Sequence, residues 1–245
     1  IVDITGKGVD DIKNHIIRTP NDPDTIYDDD PLRILRCIRF ASRYGWEIEY
    51  DTYEGMVRNV SRLEIITKER VKDEFCKMLT CKHPIMAMEL LRKIGAMHYV
   101  IPELEETYSM TQNEYHFGTV WEHTMMVLEG TKDDNMILRI SALLHDIGKI
   151  RVCTEEDGKI HFLKHELKSG EMIDELLRPL KFSNEIIKEV TFLVRNHMIC
   201  KTWGSECEYM KDKKLRRFQY ECKTEERFRN LMTIIDADNN AYAAD

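Results

Sequence analysis

Apolar residues recur every three or four positions through most of the chain, a spacing that puts them on one face of a helix. In "DDDPLRILRCIRFASRYG" the stripe is Leu32, Leu35, Ile38 and Ala41, while Arg33, Arg36, Arg39 and Arg43 fall on another face. Asp30 suits the N-cap, Pro31 the first turn and Gly45 the stop. The same rhythm predicts helices over about 51–60, 67–80, 84–95, 119–130, 136–148, 165–179, 183–197 and 225–243. It fails in three places. Residues 1–25 read as a strand end, a turn and an irregular connection, with Asp22-Pro23-Asp24 in a loop. "VIPELEETYSM" breaks at Pro102 and marks a boundary, and "VCTEEDGKIHFL" reads as a two-stranded turn around Asp157-Gly158. The expected fold is therefore all-α, or mainly α.

Composition narrows the class. The chain has 245 residues, 42% of them hydrophobic, enough for one large domain or two modest ones. Its net charge of −8 disfavours bulk non-specific nucleic-acid binding but leaves room for local basic faces. One such candidate is "MKDKKLRRF", Met210 to Phe218, read as a solvated loop or an RNA-backbone contact. Seven cysteines without a CxxC pair point to reduced thiols and a cytoplasmic protein rather than a disulfide framework. No apolar run approaches the roughly 20 residues that span a bilayer, so no membrane partner is expected. The chain starts at Ile1 rather than methionine, as a piece of a longer protein would.

The candidate chemistry lies in the second half. "SALLHDIGKI" sets His145 and Asp146 in an apolar run, where burial costs several kcal/mol unless something pairs with them. His123, His165, His197 and Asp238 each sit in or beside a predicted helix with apolar neighbours. A lone histidine in such a place is ordinarily a satisfied core residue; this series asks for a common partner. Imidazole nitrogen with carboxylate oxygen suits a divalent cation, with Zn, Mn, Fe, Ni and Mg all open. His123, His145, Asp146 and Asp238 are the expected metal ligands. Asp146, Lys149, His165 and His197 are the expected catalytic set. Lys149 lies one turn after Asp146, within reach of a phosphate oxygen, and the two later histidines are placed for a second metal or for proton transfer. The aromatics Tyr115, His116, Phe117 and Trp121 read as a seam, with base stacking as the alternative.

In this order, His, His-Asp, two further histidines and Asp, residues 115–245 resemble the HD superfamily of metal-dependent phosphohydrolases. The first third resembles another family. Asp29-Asp30-Pro31-Leu32-Arg33 is similar to the motif opening the neck helix of class II tRNA nucleotidyltransferases and poly(A) polymerases, with Asp29 in place of the usual glutamate. That resemblance implies nucleotide binding by Asp29, Asp30 and Arg33, with carboxylate and guanidinium reading the edge of an incoming base. "ITKERVKDEFCKML" resembles the motif that follows, in which Arg70 and Glu74 brace the neck.

The resemblance implies three parts: the last piece of a catalytic head over 1–25, neck and body helices over 26–114, and an HD domain over 115–245. It implies a protein of tRNA 3′-end (CCA) processing, with tRNA or another RNA 3′ end as partner. The HD site would hydrolyse a nucleotide or cyclic phosphoester of the 2′,3′-cyclic phosphodiesterase or phosphatase type. Nucleotidyl transfer, with Mg and ATP or CTP, would need the head's Gly-Ser and Asp-x-Asp elements, which this sequence lacks. Two alternatives stay open: an RNA-binding module with a structural HD fold, and an HD hydrolase of dNTP or ppGpp type.

Overall fold

A computed structural model describes residues 3, 5–112, 118–132, 134–199 and 212–241. The chain is mainly helical and divides into two compact units, 1–105 and 106–245.

The first unit opens with α1 (Gly8–Asn14), β1 (Ile16–Ile17), α2 (Pro23–Asp29) and α3 (Leu32–Tyr44). Then come β2 (Glu47–Ile48), α4 (Tyr50–Asn59), a 3-10 turn (Val60–Ile65), α5 (Lys68–Leu79) and α6 (Pro84–Lys93). The arginine-bearing helix forms where the periodicity places it. Ile34, Leu35, Ile38 and Ala41 are fully buried against α5 and α6, and Gly45 closes the helix in the left-handed conformation at φ +70°.

Asp22-Pro23-Asp24 departs from expectation: it begins α2 rather than lying in a loop. The Asp22 carboxylate accepts from Thr25 N at 2.9 Å, and Pro23 occupies the first turn, where its missing N–H goes unnoticed. Tyr27, one turn later, is fully buried and anchors the helix against α4. A helix of seven residues is too short to show a periodic stripe. β1 and β2 form a two-residue parallel pair, Ile16 opposite Glu47.

The second unit carries α7 (Val120–Gly130), α8 (Met136–Leu144), α9 (Lys149–Val152), β3 (Thr154–Glu156) and β4 (Lys159–His161). It ends with α10 (His165–Leu177), α11 (Asn184–Asn196), α12 (Asp212–Glu221) and α13 (Glu225–Asn240). The expected hairpin forms, with Glu156 opposite Lys159. A core of Leu138, Leu193, Phe218, Cys222, Leu231, Ile234 and Ile235 joins α8, α11, α12 and α13.

Two expectations are corrected here. The stretch 212–218 is helix, not loop, because Phe218 and Cys222, four residues apart, both enter that core. And α8 stops at Leu144 rather than continuing to 148. Bonds from Ile147 N to Leu144 O and from Lys149 N to Asp146 O tighten the chain into turns, so His145 and Asp146 lie at a bend. Tyr115, His116, Phe117 and Met210 lie outside the described residues. Trp121 is buried edge-on against Tyr108, with ring centroids 4.8 Å apart.

Candidate metal centre and neck motif

The bend after α8 brings two ligand-type residues inward at once. Gly148 makes it possible: a Cβ there would lie 2.4 Å from Ser169 N and 2.5 Å from the His165 carbonyl oxygen. The close approach lets Gly148 N donate to Ser169 Oγ at 2.8 Å, pinning the bend to α10.

Around Asp146 the sequence-predicted residues converge. His123 (α7), His145, Asp146, Lys149 (α9), His165 (α10), His197 (after α11) and Asp238 (α13) are all buried. Asp146 Oδ2 is 2.7 Å from Lys149 Nζ, 3.2 Å from His145 Nε2 and 3.6 Å from His123 Nε2. Its Oδ1 is 3.0 Å from His165 Nε2 and 3.7 Å from His197 Nε2. Asp238 Oδ1 lies 3.1 Å from His123 Nε2.

One geometric rule repeats. Nδ1 of His145, His165 and His197 lies 2.8, 2.9 and 2.7 Å from the backbone oxygen three residues earlier, on Ala142, Phe162 and Val194. A carbonyl only accepts, so each Nδ1 carries the hydrogen. With Nδ1 protonated, each ring faces Asp146 with its Nε2, and in the neutral form that nitrogen carries the lone pair a metal-ligating histidine needs. The His197 Nε2 is buried and, among the described residues, has no hydrogen-bond partner.

The electrostatics agree. Burial, reinforced by the neighbouring His145 imidazole, pushes His197 down to about 3. Burial also holds His123 below the usual imidazole range, against the pull of Asp238. At His145 burial pushes the same way, but the Asp146 carboxylate outweighs it and leaves the ring raised. Burial opposes ionisation of Asp146, yet His145, Lys149 and His165 together hold its carboxyl well below the ordinary carboxylate value.

Two sets, His123–His145–Asp146 and Asp146–His165–His197, each bring one ligand atom per residue within 4.8 Å of the others. The residues fit a divalent cation: nitrogen and oxygen donors, buried, with an orphaned lone pair aimed inward. Sequence reasoning missed Gln112, whose Oε1 accepts from Lys149 Nζ at 2.7 Å. It precedes α7 in a polar stretch with no periodic signal.

In the first unit the neck-motif residues are engaged with neighbours. Arg33 binds Asp29 Oδ2 at 2.7 Å and donates to the Ile26 carbonyl at 3.2 Å. Asp30 accepts from Leu32 N at 3.2 Å and from Arg70 at 3.0 Å. Arg70 and Glu74 do link helices, with separate partners: Arg70 reaches Asp30, and Glu74 accepts from Arg39 at 2.5 Å.

Comparison with known proteins defines the class. The HD domain family matches residues 113–239, and the family described as the probable RNA and SrmB-binding site of polymerase A matches residues 45–107. The chain belongs to the HD domain family, and its homologues include CC-adding and A-adding tRNA nucleotidyltransferases and multifunctional CCA proteins.

Among them, the CC-adding tRNA nucleotidyltransferase of Thermus thermophilus is 30% identical over 203 residues, covering 78% of this chain and 46% of that one. The A-adding tRNA nucleotidyltransferase of Deinococcus radiodurans is 30% identical over 211 residues, covering 81% and 48%. The CCA-adding enzyme of Bacillus stearothermophilus, solved in complex with CTP, shares the fold at TM-score 0.59 and 18% identity, over 98% of this chain and 49% of that one. The chain thus spans about half the length of the curated relatives it matches. Among the described residues, no helix is long and apolar enough to cross a membrane.

Proposed function

We propose that residues 106–245 form a divalent-metal-dependent phosphoester hydrolase within a cytoplasmic protein of tRNA 3′-end processing. The observation that carries this is the convergence of the Nε2 atoms of His123, His145, His165 and His197 on the Asp146 carboxylate. His123, His145, Asp146 and Asp238 would hold the ion. When bound, the ion supplies an acidified water and neutralises phosphate charge. Lys149, held at the same carboxylate, donates to a phosphate oxygen of the substrate. His197, pushed down to about 3, stays neutral at physiological pH and offers its lone pair as a metal ligand. His165, with Nε2 3.0 Å from Asp146 Oδ1, would serve as a ligand of a second metal or as a contact to the phosphate.

The substrate class is a 2′,3′-cyclic phosphodiester or a phosphate ester at an RNA 3′ end. The phosphoester type is what the HD resemblance implies, and the RNA 3′ end is suggested by relatives named as tRNA nucleotidyltransferases. In the division that goes with this reading, 1–25 is the end of a nucleotidyltransferase head, 26–114 the neck and body, and 115–245 the HD part. Asp29, Asp30 and Arg33 would read an incoming base when a head with Mg and ATP or CTP is present, exchanging their present partners for it. The purified chain should retain a divalent ion through gel filtration and hydrolyse bis-p-nitrophenyl phosphate with Mn or Ni. No bound ion and no turnover would leave an RNA-binding module with a structural HD fold. Turnover of dNTPs or ppGpp but not of cyclic phosphates would move the substrate class.

A further inference from the structure

Lys149 is an unusual neighbour for a cation site: a buried ammonium 2.7 Å from the carboxylate that both candidate ligand sets share. An ion bound to Asp146 draws off the negative charge that keeps this ammonium in place. What then holds Lys149 is the rest of its surroundings: Gln112 Oε1 at 2.7 Å and the Phe162 ring, whose centroid is 5.2 Å away.

Gln112 is itself oriented. Its Nε2 donates to the Thr119 carbonyl at 3.2 Å, so its oxygen must face the ammonium. Thr119 caps α7 through a reciprocal pair with Glu122, and its carbonyl also accepts from His123 N at 3.1 Å. Thr111 bridges Thr119, and Val120 N donates to Met110 O at 2.9 Å, so the backbone before Gln112 is fastened to the start of the same helix. Gln112 is thus a strut between the element carrying His123 and the element carrying Lys149.

We propose that Gln112 is a positioning residue for the metal-loaded state: it keeps the Lys149 ammonium docked when a cation claims Asp146. This rests on the metal-site reading above. Without Gln112, the loaded site would contain a buried ammonium with its main acceptor withdrawn, so metal binding weakens. The metal-free protein, in which Asp146 still satisfies Lys149, changes little.

The test measures Mn(II) affinity by calorimetry on the full 245-residue chain, with thermal unfolding in EDTA alongside. Gln112→Ala and Gln112→Met should each weaken Mn(II) binding about tenfold, the low end for a partner behind a ligand. Both should unfold in EDTA near the wild-type temperature. Gln112→Glu, which restores an acceptor, should bind within about threefold of wild type. Unchanged affinity in both Ala and Met variants would overturn the proposal. So would a lower EDTA midpoint with the metal-induced shift intact, which marks a merely structural role. A wild-type chain that takes up no Mn(II) overturns the metal-site reading as well, and so separates the two failures.

Discussion

Matched ion pairs occur in both units, and the second adds a buried cluster of another kind. In the first, anions and cations come matched: Asp11 with Arg18, Asp28 with Arg62, Asp29 with Arg33, Asp30 with Arg70, Glu74 with Arg39. Most of these pairs are at least partly open to water, and each connects one local element to another. In the second unit, four imidazoles, the Asp238 carboxylate and one ammonium, Lys149, are gathered in the interior about the Asp146 carboxylate. A matched pair completes itself. A buried surplus of acceptors does not, because each unpaired lone pair carries a desolvation cost. The first pattern is what a scaffold needs, and the second what a ligand site needs.

The largest effect should come from removing the carboxylate at the centre of the surplus. Asp146→Ala should weaken Mn(II) binding more than about 100-fold, beyond the loss of an outer partner. It should also cost about 3–5 kcal/mol by leaving the buried Lys149 ammonium without its counter-charge. Urea unfolding checks this, and Asp146→Ala combined with Lys149→Met should recover most of the stability but none of the binding. Full binding in Asp146→Ala would break the comparison outright.

Next in size is the bend. Gly148→Ala must push Ser169 and the His165 carbonyl aside, a strain of about 1–3 kcal/mol. The second unit should unfold more readily, which faster hydrogen exchange of its amides would show.

An acid limb, unlike these, grows with the distance of the pH below neutrality. The folded-state value of His197 is depressed to about 3, below the ordinary unfolded value near 6.5. The unfolded chain therefore binds the extra proton first. The contribution is complete above pH ~6.5 and is lost as pH falls toward 3, with a slope of at most about 1.4 kcal/mol per pH unit. In EDTA, His197→Gln should flatten the stability profile between pH 6.5 and 4; an unchanged slope there would mean the ring is not the group responsible.

The smallest effect belongs to the matched pairs. Arg70→Ala removes a half-exposed partner of Asp30 and should cost under about 1 kcal/mol, with no change in Mn(II) affinity.

Much of this was legible from residue order. The stripe Leu35, Ile38, Ala41 marks α3 because a long amphipathic helix repeats its signal. His123, His145, Asp146, His165, His197 and Asp238 stand out because polar residues in apolar runs are anomalous one at a time and coherent together. The misses have local causes. α2 is a single capped helix of seven residues, whose only strong clue is Asp22 before Pro23. α12 looks like a charged loop because two buried positions, Phe218 and Cys222, hold it while basic residues dominate its letters.

Residue order therefore determined the helical class, the long elements and the types of ligand available, since these depend on periodicity and side-chain chemistry. Tertiary structure alone decided that the His-Asp pair sits at a bend, that Asp146 rather than a histidine is the common centre, and that Gln112 belongs to the site beside Lys149. Each of those depends on which backbone carbonyls and which neighbouring helix lie within a few ångströms. Spacing along the chain carries no record of that, because the partners are brought together only when the core closes.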